Sequence, residues 1–404
     1  MEKEFIKNTE RSITLNVTGG RIDSFRSLEK TTGTVRVYEN GCIGVAGCLG
    51  EPDEDELTEK AKEALAFGIP YPCHMEAPLE MEKRQEKEII PVPEFIPTMQ
   101  AFLDRLGEMC PKFAFSNKIS QTYSYTEYKN SADRHLISSG WTLSIELVIQ
   151  NRGSGNLFDT FLGWWGDHFD PDALAAQVKK EYDAFYTPAD LEPGRYPVIA
   201  GSSDLVARFF QHFIGDLYVA GASLVSGKLG QKLFSDKLTI QCDMNPETAP
   251  GTSFFDAEGC VASNFRPAII EKGVLTGLLT TKKTADQYGL ATLGTADSAY
   301  DGVPELGFRS IYFEPTEKSL REMVPGKAVY VVVASGGDAT PDGHFATPVQ
   351  MAYLMEGGKL VGRLPDLSIS GDFFDMFGKD YIGTVHDDPL KGSMLSAVMM
   401  NVTK

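Results

Sequence analysis

The sequence predicts an α+β fold: an N-terminal α/β part with an antiparallel sheet and helices, and a C-terminal, mostly antiparallel, barrel-like β part. Three observations carry this. Apolar residues recur at every second position in several N-terminal stretches, helices open on acidic or proline-marked turns, and short strands separated by glycine turns dominate the second half.

Taken in order, Ser12–Val17 alternates apolar and polar residues, as does Thr34–Tyr38, which runs into Asn40-Gly41 and then Cys42–Gly47. Asn-Gly tolerates the positive φ of a tight hairpin turn, so this is a β-hairpin. Glu51-Pro52-Asp53-Glu54-Asp55-Glu56 then opens a helix through Leu57, Ala61, Ala64, Leu65 and Phe67, with negative charge favourable at its N-terminus. Gly68 and Pro70 end it. Residues 72–93 are charged and bounded by prolines, which predicts a linker or exposed arm. A helix is predicted over Glu94–Met109, strand alternation over Ala114–Gln150 with a break near Asn130–Arg134, and a helix through Leu174, Val178 and Tyr182 capped by Asp170-Pro171-Asp172. The segment Thr187–Gly194 has linker composition. Beyond it come a strand at Tyr196–Ala200, a helix from Ser203 to about Gly221, and hairpins at Ala268–Leu275 and Tyr353–Val361. The expected divisions are 1–92, 93–192 and 193–404.

The 404 residues carry 38 Lys+Arg against 56 Asp+Glu, a net charge of -18. Such a surface repels a phosphate backbone and an anionic bilayer, and no run of basic residues exceeds two, as at Lys282-Lys283, so neither nucleic acid nor membrane is an expected partner. The longest clean apolar run, Ala328–Ala334, is far short of the ~20 residues of a membrane span. The start, Met1–Phe5, is charged and leads into no apolar signal region, and the six scattered cysteines form no Cys-x-x-Cys pair. Reduced thiols and a cytoplasmic location are the expectation.

The second half carries a resemblance. Ser223–Ile240, Phe255-Asp256-Ala257-Glu258-Gly259, the hairpin around Lys272-Gly273, Thr284–Leu290, Leu293–Ala296 and Leu367–Phe377 resemble, in the same order, segments of the TldD/PmbA family, some of whose members are described as modulators of DNA gyrase. Val35–Gly44 and the acidic helix after it are similar to that family's N-terminal region. The resemblance implies peptide processing, commonly as dimers or as two related subunits. It also implies, for the TldD type, HExxxH on the helix before Ser223 with a cysteine nearer the C-terminus as third zinc ligand. The two imidazoles serve as zinc ligands, and the glutamate between them serves as general base.

No HExxxH occurs here. The helix reads Phe209–Leu217, with His212 and Asp216 as the nearest substitute, and an ungapped register from Ser223 places the motif over Val206–Gln211 with no ligand at all. The last cysteine is Cys260. The chain is therefore more similar to the zinc-less PmbA (TldE) branch. No cofactor is expected; were zinc bound, His212, Asp216 and His344 are the donors left for it. His212 and Asp216 are also the catalytic candidates, against the plainer alternative of a hydrogen-bonded pair or two unrelated groups. A homodimer or a zinc-bearing homologue is the expected partner, and extended peptide the expected substrate. Asp167, His168 and Asp170 suit a helix cap better than a cation site, and Ser335, Asp338 and His344 lack the strand–turn–helix context of a nucleophile.

Overall fold

The computed structural model describes residues 1–262, 264–386 and 394–404. Strands β1 (Glu2–Thr18), β2 (Arg21–Glu39) and β3 (Cys42–Leu49) form consecutive hairpins, the second turning at Asn40 and Gly41 with φ of 51° and 74°. Helix α1 (Glu54–Ala64) follows, its N-terminus capped by Asp53 accepting from the Asp55 and Glu56 amides, and buries Leu57 and Ala61 on β2 and β3. Next come β4 (Leu79–Arg84), α2 (Val92–Met109), the long hairpin β5 (Phe113–Asn130) and β6 (Arg134–Asn151), β7 (Thr160–Gly166) and α3 (Pro171–Phe185).

These strands make one sheet in the order β3-β2-β1-β5-β6, with β4 parallel to the start of β6 and β7 antiparallel to its second half. Two features depart from the sequence expectation. The stretch 72–93 is not all linker, because Leu79–Arg84 hydrogen-bonds along Arg134–Ser139. Helix α2 begins two residues early, since Pro93 suits its first turn. Its Phe95, Met99, Phe102, Leu103 and Leu106 repeat at helical spacing and pack with Leu174 and Val178 of α3 on one sheet face. Asp170 caps α3 through the Asp172 and Ala173 amides.

The second half closes a barrel of five strands: β8 (Gly194–Gly201), β9 (Lys327–Ala334), β10 (His344–Glu356), β11 (Leu367–Asp372) and β12 (Leu395–Thr403). Around the ring β9 pairs β8, β8 pairs β12, β12 pairs β11, β11 pairs β10, and β10 returns to β9; only the β9–β8 contact is parallel. Strand β9, most of β12 and the second halves of β8 and β10 are buried on both faces. Val198, Val329, Ala352 and Leu354 point into one core with Phe209, Phe213 and Phe373, while Ile199, Tyr330, Tyr353 and Met355 point into the core built with α2 and α3. That double burial explains the unbroken apolar run in β9, because alternation survives only where one face meets water. A short sheet (Ile240–Asp243, Ala268–Glu271, Val274–Leu275, Ser310–Phe313) packs beside the barrel. Among the described residues no helix is long and apolar enough to cross a membrane, and the six cysteines are unpaired.

Candidate functional site

Between β8 and Ser223 the expected single helix is replaced by three short turns: Ser202–Ala207, a 3-10 turn at Phe210–Phe213, and Gly215–Val219. Ile214 between them is extended, at φ -76° and ψ 125°, because the chain there pairs with Leu279: the Gly215 amide donates to the Leu279 carbonyl and the Leu279 amide to the Phe213 carbonyl. His212 and Asp216 therefore share no helical face. The His212 ring is buried beside Phe373, its Nδ1 accepting from the Leu224 amide at 3.3 Å, and burial holds its pKa below the ordinary value, so the ring is neutral. Asp216 accepts from the Thr284 hydroxyl at 2.9 Å. His344 stands on the surface, with Nδ1 3.4 Å from the Asp372 carboxylate and Nε2 3.7 Å from that of Asp342. It borders a groove of about 690 Å³ that Asp338, Asp375, Asp380, Arg195 and Lys379 also line. His344 contacts neither His212 nor Asp216.

A second locus lies in the Phe255–Cys260 segment, whose charged residues the sequence reading left without a role. Asp256, Glu258 and Cys260 are all buried and bring ligand atoms within 4.8 Å of one another, the one such group of three among the described residues. Asp256 accepts from the Glu258 and Cys260 amides, both at 2.9 Å, and from the Ala296 amide at 3.0 Å. Glu258 accepts from the Tyr71 hydroxyl at 2.6 Å and the Lys282 amide at 2.9 Å. The Lys282 ammonium lies 3.2 Å from Glu76 and donates to the carbonyls of His74 and Glu258. Burial and the neighbouring Asp256 charge push the Glu258 carboxyl up to about 7, the Tyr71 and Lys282 bonds opposing them. Burial, reinforced by Asp256, also holds the Cys260 thiol well above its ordinary range.

This chemistry decides whether the cluster fits zinc. Its carboxylate oxygens are occupied by protein donors, Lys282 already supplies the cation, and the Cys260 thiol donates to the Glu76 carboxylate at 3.5 Å. At the other locus, one lone pair of a buried imidazole is already used by Leu224. Neither set fits a zinc ion. The buried cluster is instead a knot joining the 71–76 segment to the second half of the chain.

A parallel knot sits next to it. The Arg36 guanidinium is fully buried, pairs with Glu4 at 3.3 Å, and reaches over to the Ala257 carbonyl and the Ser298 hydroxyl, both at 2.5 Å. Tyr38 and Tyr128 each donate to Glu4 at 2.9 Å. Gly259 completes the contact: its φ is +71°, and a Cβ there would lie 2.4 Å from the Tyr128 ring. The pattern Asp-x-Glu-Gly was the one available signal, since closely spaced acids before a glycine mark a turn held by its own side chains.

The long-stranded sheet with its helices and the closed five-stranded barrel together define a two-part α+β architecture. Residues 193–399, over half of the chain, match the family described as PmbA/TldA metallopeptidase C-terminal domain. The chain belongs to the PmbA/TldD metallopeptidase family. It is 26% identical over 287 residues to the zinc metalloprotease TldD homolog of Saccharolobus solfataricus, covering 66% of this chain and 64% of that one. It is 30% identical over 190 residues to a metalloprotease of Methanothermobacter thermautotrophicus, covering 45% of this chain and 41% of that one. The chain thus spans less than two thirds of the length of these relatives. The fold is similar to that of TldE from Thermococcus kodakarensis, at TM-score 0.82 and 18% identity over 100% of this chain and 96% of that one. It is also similar to a Thermotoga maritima structure described as a modulator of a DNA gyrase, at TM-score 0.75 and 17% identity over 100% and 95% of the two chains.

Proposed function

We propose that this chain is a zinc-less subunit of a peptide- or protein-processing system, working as a homodimer or beside a zinc-bearing TldD-type homologue. The observation that carries this reading is the state of the segment where the family's zinc motif would lie. It is broken at Ile214, its histidine is buried against Phe373 and bonded to the Leu224 amide, and no glutamate stands where a general base is required. Such a chain contributes binding surface and leaves bond cleavage to another subunit. The net charge of -18 keeps nucleic acid off the list of direct ligands, so any effect on a DNA-handling enzyme would run through protein.

The test is elemental analysis of the purified protein with and without added zinc, followed by cleavage of an unfolded protein substrate by a zinc-bearing homologue, alone and mixed with this chain. Sub-stoichiometric zinc together with enhanced cleavage in the mixture is expected. One zinc per chain, with cleavage by this chain alone that the substitution His212→Ala abolishes, would overturn the proposal.

A further inference from the structure

The strand Lys359–Arg363 pairs on one side with Tyr353–Glu356 of β10, and among the described residues no strand pairs with its other side. One end of that outer edge is already in use. The Arg363 amide donates to the Thr187 carbonyl, and the Ala189 amide donates to the Arg363 carbonyl, a parallel bridge about Pro188. The chain itself thus shows that this edge accepts an extended segment. Alongside the remainder, between the strand and α3, runs a groove of about 600 Å³. Met355, Leu360 and Ala184 give it apolar walls, and Lys180 and Lys359 stand exposed beside them, with no ion pair among the described residues. These two ammonium groups flank the slot, and the one carboxylate in its lining, Asp183, is already paired with Lys179.

We infer that the outer edge of Lys359–Val361 binds an extended peptide carrying alternate apolar and acidic side chains. The peptide's main chain would continue the ladder that Thr187–Ala189 begins, its apolar side chains would enter the slot, and its carboxylates would meet Lys180 and Lys359. Main-chain pairing supplies affinity, and the alternating pockets supply selection. The slot shares no lining residue with the His344 groove or with either buried knot. This inference rests on the reading of the chain as a peptide-handling subunit and adds to it where the peptide sits and which peptides are preferred.

The probe is a fluorescein-labelled heptapeptide alternating Glu and Leu, titrated into the full chain and followed by anisotropy. Saturable binding is expected. It weakens at least ten-fold in a variant carrying both K180E and K359E, two exposed positions where the fold holds, and is lost when alternate peptide amides are N-methylated. A matching peptide alternating Lys and Leu binds more weakly to the natural chain and more tightly to the double variant. Equal affinity of the Glu-Leu peptide for the natural chain and the variant would overturn the inference while leaving the peptide-handling reading in place. So would absence of binding together with intact enhancement of a homologue's cleavage. Absence of both would sink the reading beneath it.

Discussion

The broken helix at 202–219 and the Asp256–Cys260 knot make an instructive pair. The first occupies the place where the family's zinc chemistry is expected, yet it holds little but aromatic packing around one neutral histidine. The second has the donor types a metal would want, yet every carboxylate in it is met by an amide, a hydroxyl or a lysine. Ligand residues in proximity do not make a metal site. What counts is whether lone pairs remain unspent once the protein's own donors are satisfied.

Three perturbations would break or sharpen that contrast, from the largest effect to the smallest. Arg36→Ala strands the Glu4 carboxylate in the interior with only two tyrosine donors, so unfolding stability should fall by about 3–5 kcal/mol, measured by chemical denaturation. A loss below ~1 kcal/mol would show that the knot is not the joint we describe.

Next, Glu258 is more readily protonated in the folded chain than in the unfolded one, where its pKa is near the ordinary value of 4.5, against about 7 when folded. The folded state therefore binds the extra proton, and its benefit is complete below the ordinary glutamate range and lost as pH rises toward 7. Urea midpoints should fall between pH 5 and pH 8 by an amount worth on the order of 2–3 kcal/mol. Glu258→Gln should flatten that slope, and a slope unchanged in the variant would place the titrating group elsewhere.

Last, His212→Ala should cost roughly 1–2 kcal/mol through the orphaned Leu224 amide and lost packing, whereas His344→Ala should cost under ~0.5 kcal/mol. Paired melting curves decide this, and the ranking reversed would mean that the surface histidine carries the structural load.

Much of the fold was legible locally. Asn40-Gly41 announced its hairpin, Asp170-Pro171 its helix cap, and the hairpins at 268–275 and 353–361 their glycine turns, because each depends on a φ angle or cap that neighbouring residues settle alone. Leu79–Arg84 was hidden, since its strand character comes from β6, some fifty residues downstream, and not from its own charged residues. The interruption at Ile214 was hidden for the same reason, Leu279 being its partner. At the site, the absence of HExxxH could be read directly, whereas the role of Glu258 could not: only the fold brings Tyr71 and Lys282 to it from opposite sides in sequence.

The barrel's ring order has a consequence for how the molecule is made. Strand β12 sits between β8 and β11, so the seam is stitched by the segment that leaves the ribosome after all its neighbours. Strand β8 waits roughly 200 residues for that partner, with two apolar faces uncovered meanwhile, the kind of long-range closure that folds slowly and invites aggregation. Synthesis of this half should therefore lean on holdase chaperones, and a stop codon placed just before Leu395 should yield an open sheet with its β8 edge free to join another chain.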